Sequence, residues 1–276
     1  MDYKEIQDNN MAIYFFNSNS LVIKAAVILT IVVFFIIFFR LGVFIMSHAL
    51  AADRTPFVMP GLKKASSSMV IRQDPRYADS VTLFRSVNEN DGLEFTWSVW
   101  LYIDDIEHLS NQHRHIFHKG NLNIINDPTN MEKHGINFPN NGPGMYIKPN
   151  SNDLLITMNS FSVIREDVVV KDIPLKKWVN VMIRVEDRNV DAYVNGMIVS
   201  RRQMKHVPKQ NYGDIYINYN GGFSGFISDL RYFNYAVNIP DINSIIRRGP
   251  SLKTNKASID KSFPPYLSTN WYLNTN

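Results

Sequence analysis

Residues 94–103 read EFTWSVWLYI, and this stretch decides the class of fold that the chain adopts. Successive side chains of a β-strand point to opposite faces of the sheet. One face of the stretch is apolar throughout and carries Phe95, Trp97, Val99, Leu101 and Ile103. The other face mixes hydroxyl side chains with Trp100 and Tyr102. The alternation predicts a strand that is buried on one face and aromatic on the other.

A second stretch, residues 178–200, predicts a β-hairpin. Its first part, WVNVMIRV at 178–185, places a valine or isoleucine at every second position. Residues 186–189 then make a turn, and residues 190–194 return as the partner strand. Asn195-Gly196 is the strongest short hairpin signal, and residues 197–200 lead away from it as a further strand.

Shorter alternating stretches lie on both sides of these two and are separated by turn residues. They predict strands at 80–86, 115–118, 144–147, 154–159, 168–170, 214–219 and 225–232. One helical turn is predicted from Asp241 to Arg247, after Pro240 and before Gly249. Many short strands without a long amphipathic helix predict an all-β fold, a two-sheet antiparallel sandwich.

An apolar segment near the start, residues 21–46, predicts a transmembrane helix before this sandwich. Its centre reads AAVILTIVVFFIIFF at 25–39, where Thr30 is the only polar residue. A helix over 21–46 is about 39 Å long, whereas the hydrocarbon core of a bilayer is about 30 Å thick. A tilted helix fits if Lys24 and Arg40 extend their long stems toward the interfaces.

Two other interpretations of this segment stay open, a cleaved signal peptide and a buried core helix. Ala49-Leu50-Ala51 resembles a signal cleavage site. Against cleavage, the residues before the segment include Asp2, Glu5 and Asp8, and the apolar stretch is longer than the core of a normal signal. We favour an uncleaved anchor and a single-pass membrane protein.

The rest of the chain divides by composition. We predict a short polar N-terminal tail at 1–20, the transmembrane helix at 21–46, a stalk at 47–77, the sandwich at 78–249 and a C-terminal arm at 250–276. The stalk is predicted because residues 47–77 hold Pro56, Pro60, Gly61 and Pro75 and show little periodicity. The arm is basic and ends in aromatic residues.

Composition and charge exclude several classes of protein. The 276 residues contain no cysteine, which excludes disulfide scaffolds, thiolate metal sites and cysteine nucleophiles. The net charge of +4 comes entirely from the last thirty residues, so the body of the chain is neutral. We therefore expect no nucleic-acid partner, because such a binder gathers its cations on a folded face.

The same charges bear on the orientation in the membrane. Two basic residues precede the apolar centre, Lys4 and Lys24, and four follow it: Arg40, Arg54, Lys63 and Lys64. The excess after the segment favours a sandwich on the cytosolic side. None of the thirty asparagines begins an Asn-x-Ser/Thr acceptor, which agrees with a domain that does not meet the glycosylation machinery.

Three blocks of sequence resemble the concanavalin A-like lectin/glucanase superfamily, most closely its laminin G-like, pentraxin-like branch. They are residues 95–100 (FTWSVW) with 115–120 (HIFHKG), residues 173–181 (IPLKKWVNV) with 191–196 (DAYVNG), and residues 215–217 (IYI) with 221–236 (GGFSGFISDLRYFNYA). The resemblance covers roughly residues 78–248 and implies a jelly-roll sandwich. The superfamily includes sugar binders, protein-binding modules, spacers and hydrolases, so the fold alone does not define the activity.

The candidates for chemistry are few. Hydrolases of the superfamily alternate two or three carboxylates along one strand, but Asp104-Asp105-Ile106-Glu107 and Glu166-Asp167 lack that pattern, and we predict no enzyme. No cofactor is expected. Calcium-dependent relatives suggest an ion at loop oxygens, for which the candidates are Asp127, Asn150, Asn152 and Asp153. We interpret His113, His115 and His118 as partly exposed strand histidines, since zinc needs three or four converging ligands.

A ligand platform is predicted near one edge of the sandwich, because aromatic faces suit the apolar faces of sugars. Its candidate residues are Tyr212, Tyr216, Asn218, Tyr219 and Asn220. The sequence thus predicts a non-enzymatic, membrane-anchored module that recognises carbohydrate or protein and contacts lipid through residues 21–46. The alternative is a structural tether between a membrane and a protein shell, such as a minor virion membrane or capsid component of a large DNA virus. The oligomeric state stays open.

Overall fold

The computed structural model describes residues 21–49, 53–89 and 92–254. The predicted N-terminal tail and most of the predicted C-terminal arm lie outside the described residues. The chain divides into two units, one up to Ala51 and one from Ala52 onward, and each is described by itself.

The first unit contains helix α1, Leu21–Ala49. Its stretch Leu21–Ser47 is long and apolar enough to cross a membrane, and its apolar side chains are exposed. The hydroxyls of Thr30 and Ser47 donate to the carbonyls of Ala26 and Phe44, so both are satisfied within the helix itself. The helix therefore fits the predicted membrane anchor, and a signal sequence near the N-terminus meets the same criterion of length and composition.

The second unit consists of thirteen described strands and one helix. The strands are β1 Phe57–Lys64, β2 Met69–Ile71, β3 Val87–Glu89, β4 Gly92–Ile103, β5 Arg114–Gly120, β6 Gly144–Ile147, β7 Leu154–Met158, β8 Glu166–Val170, β9 Trp178–Asp187, β10 Asn189–Val194, β11 Met197–Gln203, β12 Asp214–Ile217 and β13 Gly225–Phe233. Helix α2 covers Ile239–Arg248.

The strands form two antiparallel sheets, as predicted. One sheet has the order β1-β13-β4-β9-β10-β11, with β3 paired to β4, and the other has the order β2-β12-β5-β6-β7-β8. The alternation in 94–103 is confirmed, because Phe95, Trp97 and Val99 lie in the core between the sheets. The predicted hairpin also forms, since β9 pairs with β10 and Ile183 lies opposite Ala192. On its other side β9 pairs with β4, where Ile183 lies opposite Trp97.

Part of the predicted stalk belongs to the sandwich instead. Strand β1 pairs with β13 and β2 pairs with β12, so residues 57–71 are core elements and not a linker. Pro60 and Gly61 interrupt the alternating pattern of β1, so the sequence did not predict this strand. They lie where its register with β13 shifts, between Met59 and Leu62, and Gly61 has a φ of 79°.

The strand predicted at 80–86 does not form. Residues 81–86 have no regular structure, although Val81 and Leu83 pack against the core. The side chain of Gln73 takes the place of a neighbouring strand: its Nε2 donates to the carbonyl of Val81 and its Oε1 accepts from the N–H of Leu83. Alternating burial therefore occurs here without a backbone ladder.

Helix α2 is longer than the single turn predicted. Asn238 and Asp241 form a capping box, Pro240 lies in its first turn, and Arg247 and Arg248 lie in its last turn, just before Gly249. The helix packs Ile242 against Met182 and Phe233 on the outside of the seven-stranded sheet. After it, the N–H of Leu62 donates to the carbonyl of Lys253, which places the start of the predicted arm beside β1.

Candidate functional site

A cavity of about 470 Å³ enters one end of the sandwich and reaches its core. Its floor is formed by Leu93, Phe95 and Trp97 on β4 and by Tyr232 on β13, which are all less than 10% exposed. The irregular segment that follows β2 passes over this end and contributes Leu83 to the wall. Small-molecule sites in proteins have this size and this predominantly apolar lining.

Three aromatic side chains surround the mouth of the cavity and face solvent. Tyr212 is 90% exposed, Phe161 is 71% exposed and Phe84 is 42% exposed. They come from three different connections, so the sandwich brings together residues that are far apart in sequence. Exposed aromatic side chains around an apolar opening are typical of an interaction site.

Lys119 brings a buried amine to the same cavity. Side chains two apart in a strand share a face, so Lys119 follows Phe117 on the inner face of β5. Its Nζ donates to the carbonyls of Asn211 (2.7 Å) and Gly213 (2.8 Å), while the Oδ1 of Asn211 is 3.5 Å away. Burial disfavours the charged form, lowering the pKa of Lys119 to about 8, although Asp214 opposes this shift.

The other polar groups at the wall serve the fold. Asp214 accepts from the N–H of Gln73, and the Nδ2 of Asn211 donates to the carbonyl of Lys119. The carboxylate of Asp74 is bound by Arg76. These contacts hold the segment after β2 and the β11–β12 connection in place beside the apolar floor.

The structure separates the residues predicted as a ligand platform. Tyr212 lies at the cavity mouth, whereas Tyr216 stacks on His118 at 5.0 Å and meets Tyr219 edge to face at 5.3 Å. Asn218 and Asn220 have φ values of 54° and 53°, as asparagines often do in tight turns. Asn218 is fully buried, and its Oδ1 is without a hydrogen-bond partner in the described part of the chain.

The histidines are buried, and the prediction that they are partly exposed is wrong. His115 and His118 are both 0% exposed, and their rings are joined by a 2.6 Å hydrogen bond. The backbone N–H of Tyr219 donates to Nδ1 of His115, so the proton of that ring lies on Nε2 and is donated to Nδ1 of His118. His118 then donates from Nε2 to the carbonyl of Asn121.

This relay requires both rings to be neutral. Burial lowers the pKa of His118 to about 4, and burial together with the neighbouring His118 lowers the pKa of His115 well below 6.5. His113 is buried as well, bonds the carbonyl of His134, and has its pKa lowered to about 4 by burial. Sequence alternation placed these residues on a strand but did not show that residues 121–143 cover its outer side.

The residues predicted to hold calcium lie on two different connections. Asp127 lies between β5 and β6, where it accepts from the N–H and the hydroxyl of Thr129. Asn150, Asn152 and Asp153 lie in the turn between β6 and β7, where Asn152 donates to Asp172 and Asp153 accepts from the N–H of Asp172. The described residues contain no group of three or more His, Cys, Asp or Glu side chains suited to a metal.

A buried arginine explains the shape of that turn. Arg114 is 0% exposed and donates to the carbonyls of Ile106, Lys148 and Ser151. The turn is therefore held by a guanidinium at its backbone, and the side chains of Asn152 and Asp153 join it to Asp172 on the β8–β9 connection.

The carboxylates considered for catalysis also bond locally. Asp105 accepts from the N–H groups of Glu107 and His108. A hydrogen bond from Ser224, followed by these two N–H groups, lowers the pKa of Asp105. Glu166 is buried and accepts from the hydroxyl of Ser160 and the N–H of Lys205.

These features define an antiparallel β-sandwich of the lectin-like binding class with a cavity at one end. The chain belongs to the concanavalin A-like lectin/glucanases superfamily, because a family model of laminin G type with that description matches residues 76–243. The resemblance stated from the sequence is thereby confirmed. Comparison with curated proteins gives no match.

Solved structures with a similar sandwich include botulinum neurotoxin domains. The receptor-binding domain of botulinum neurotoxin D has 14% identity and a TM-score of 0.48, over 68% of this chain and 44% of that one. The binding domain of botulinum neurotoxin DC, in complex with rat synaptotagmin II, has 18% identity and a TM-score of 0.42, over 59% of this chain and 40% of that one. This chain thus spans less than half of either structure, and the likeness concerns the fold alone.

Proposed function

We propose that this protein is a membrane-anchored binding module that recognises a carbohydrate or protein ligand at the cavity mouth and performs no catalysis. The observation that carries the proposal is the apolar cavity ringed by exposed Tyr212, Phe161 and Phe84. Binding energy at protein interfaces concentrates in aromatic anchors beside desolvated pockets. Helix α1, with its exposed apolar side chains, supplies the anchor.

A binding screen with matched variants tests the proposal. The full chain, inserted in lipid nanodiscs, is applied to a glycan array and to a protein array, each with and without calcium. Phe161 and Ile164 lie on the same connection and are 71% and 56% exposed, but only Phe161 lines the cavity. The double variant Phe161→Ser/Tyr212→Ser should bind a ligand found in the screen with an affinity at least tenfold lower, and Ile164→Ser should bind it with unchanged affinity. Equal binding by all three proteins would place the ligand elsewhere.

A second candidate function, the tether to a protein shell, is favoured by strand β11. This strand lies at the edge of the seven-stranded sheet, and Met197, Ile198 and Val199 are 71%, 48% and 48% exposed. An exposed apolar edge strand offers unpaired backbone groups to another protein. A virion component of this type would bind through β11 and not through the cavity.

The side of the membrane on which the sandwich lies separates a glycan ligand from a cytosolic partner. Glu132→Thr creates an acceptor at Asn130, in an exposed stretch of the β5–β6 connection, and Met11→Thr creates one at Asn9 before the apolar segment. Expressed in a cell that glycosylates, the chain should be modified at Asn9 if the sandwich is cytosolic. Modification at Asn130 would overturn the predicted orientation and favour an extracellular ligand.

A further inference from the structure

The cavity joins an apolar floor to a buried cation, and this combination specifies a ligand more narrowly than the fold does. The floor residues Phe95, Trp97 and Tyr232 belong to the sandwich core, so the part of an occupant that reaches them is removed from water. Apolar protein cavities stay dry and take up apolar guests. A sugar would need unoccupied polar side chains here, whereas Gln73, Asn211 and Asp214 already bond within the protein.

Lys119 is the exception among the polar groups. An ammonium has three N–H donors, and two of those of Lys119 donate to carbonyls at 2.7 and 2.8 Å. Within the described residues, the third has only a long contact of 3.5 Å with the Oδ1 of Asn211, which already accepts from the N–H of Gly213 at 3.0 Å. Among the residues that the structure describes, no carboxylate lies within 4.0 Å of its Nζ. A buried charge of this kind is stabilised by a counter-ion, because carbonyl dipoles replace only part of its lost hydration.

We infer that the cavity binds an amphipathic carboxylate, with its hydrocarbon chain on Phe95, Trp97 and Tyr232 and its carboxylate at the Nζ of Lys119. This inference rests on the proposed function only in taking the cavity as a ligand site. Its chemistry is that of a fatty acid. An acyl chain of a bilayer lipid would make the same apolar contacts as a fatty acid, but it has no carboxylate for Lys119.

Calorimetric titration of the full chain in nanodiscs with decanoate and with decanol tests the inference, with empty nanodiscs subtracted. Decanoate should bind at one saturable site and tenfold or more tightly than decanol, the factor that one charge-assisted hydrogen bond supplies. Octanoate should bind about fifteenfold more weakly than decanoate, since each buried methylene contributes about fourfold. Equal binding of the acid and the alcohol would assign the site to any acyl chain and overturn the role of Lys119.

Two variants and the pH dependence complete the test. Leu83→Trp fills part of the cavity and should weaken the binding of both compounds, whereas Ile164→Ser should bind both as the unaltered chain does. Lys119→Met should bind decanol unchanged and lose the preference for decanoate. In the unaltered chain the preference for decanoate should decline as the pH rises through about 8, because Lys119 loses its charge there. The other charged or titratable groups that line the cavity are Asp74, Asp214, Arg85 and the phenols of Tyr212 and Tyr232.

The results separate this inference from the proposed function. If neither decanoate nor decanol binds, but Phe161→Ser/Tyr212→Ser loses the binding of a glycan or protein, the inference fails and the proposed binding module stands. If Lys119→Met binds no decanol either, its fold is disturbed, and the pH dependence of the unaltered chain decides. A preference for decanoate that is independent of pH between 7 and 9 would contradict the assignment to Lys119.

Discussion

Strand β5 borders two regions that look alike in sequence and differ in structure. On its outer side, His115 and His118 are buried beneath residues 121–143, where aromatic rings and asparagine side chains bond to one another. On its inner side, Lys119 faces a cavity with exposed aromatic residues at the mouth. We call these the packed region and the open region. Both contain aromatic and amide residues, so composition alone does not separate a scaffold from a binding site.

The difference lies in whether a region leaves space beside its apolar side chains. In the packed region, Tyr146 donates to Asn141, Asn141 donates to the carbonyl of Asn137, and Asn159 accepts from the N–H of Asn141. Such a satisfied network makes a structure more specific and offers little to a ligand. In the open region a cavity borders the core residues, which leaves some favourable contacts unmade until a guest arrives. Changes to the first should alter stability, and changes to the second should alter binding.

Acid should have the largest effect, and it acts on the packed region. The pKa values of His113 and His118 are lowered from 6.5 to about 4 in the folded protein, so below pH 6.5 the unfolded chain binds more protons. Stability is therefore complete above pH 6.5 and declines as the pH falls toward 4. At pH 5 each histidine removes about 2 kcal/mol, or about 4 kcal/mol for the two, and His115 adds to the loss in the same direction.

Urea unfolding of the full chain at pH 7, 6 and 5 measures this loss. His118→Phe removes one titrating ring, so its stability should depend less steeply on pH, whatever its stability at pH 7. A free energy of unfolding that stays constant from pH 7 to pH 5 would contradict the buried relay.

Asn141→Ala should cost about 1–3 kcal/mol, because it leaves the hydroxyl of Tyr146 and the carbonyl of Asn137 without buried partners. The adjacent Asn140 is exposed and bonds only Asn121 through its side chain, so Asn140→Ala should change stability by less than about 0.5 kcal/mol. Denaturant titration compares the two variants. Similar losses in both would mean that the network is not what stabilises this region.

A tryptophan introduced into each region should act with opposite sign. Leu83→Trp fills part of the open cavity and should stabilise the fold by about 1 kcal/mol. Leu155 is 3% exposed and packs against Ile136 and Tyr146, so Leu155→Trp should destabilise by about 1–3 kcal/mol through overpacking. Thermal unfolding gives both values, and a loss of stability in both variants would argue against an open cavity.

Polar substitution at the mouth should have the smallest effect on stability. Phe161 and Tyr212 are largely exposed, so Phe161→Ser/Tyr212→Ser should alter the free energy of unfolding by less than about 0.5 kcal/mol. Binding should nevertheless fall, as proposed above. If the double variant unfolds several degrees earlier than Ile164→Ser, the mouth residues support the fold and the separation of the two regions is lost.

The sequence was informative where burial follows a simple period. The alternation in β4 and β9 and the Asn195-Gly196 turn define the centre of the seven-stranded sheet, and they predicted it correctly. Strand β1 was not predicted, because a bulge at Gly61 interrupts the two-residue alternation of apolar side chains. Residues 81–86 were predicted as part of a strand that does not form, and the side chain of Gln73 makes the hydrogen bonds that a neighbouring strand would make.

The candidate site was predictable only in part. Tyr212 was among the predicted ligand residues and lies at the mouth, whereas Phe161, Phe84 and Lys119 were not considered. These residues come from connections whose positions depend on the packing of the whole sandwich, and no local pattern joins them. Lys119 was visible only as part of the HIFHKG block, where its alternation with Phe117 on the inner face is the single local signal.

Site-directed photo-cross-linking tests most directly whether the open region is where this module meets its ligand. The chain lacks cysteine, so a benzophenone maleimide reacts only at an introduced thiol. In membranes containing the full chain, we expect Phe161→Cys and Tyr212→Cys to give an adduct of the same added mass, and Ile164→Cys to give none. Adducts at Ile198→Cys on β11 with none at the mouth would contradict the account and assign binding to the edge strand.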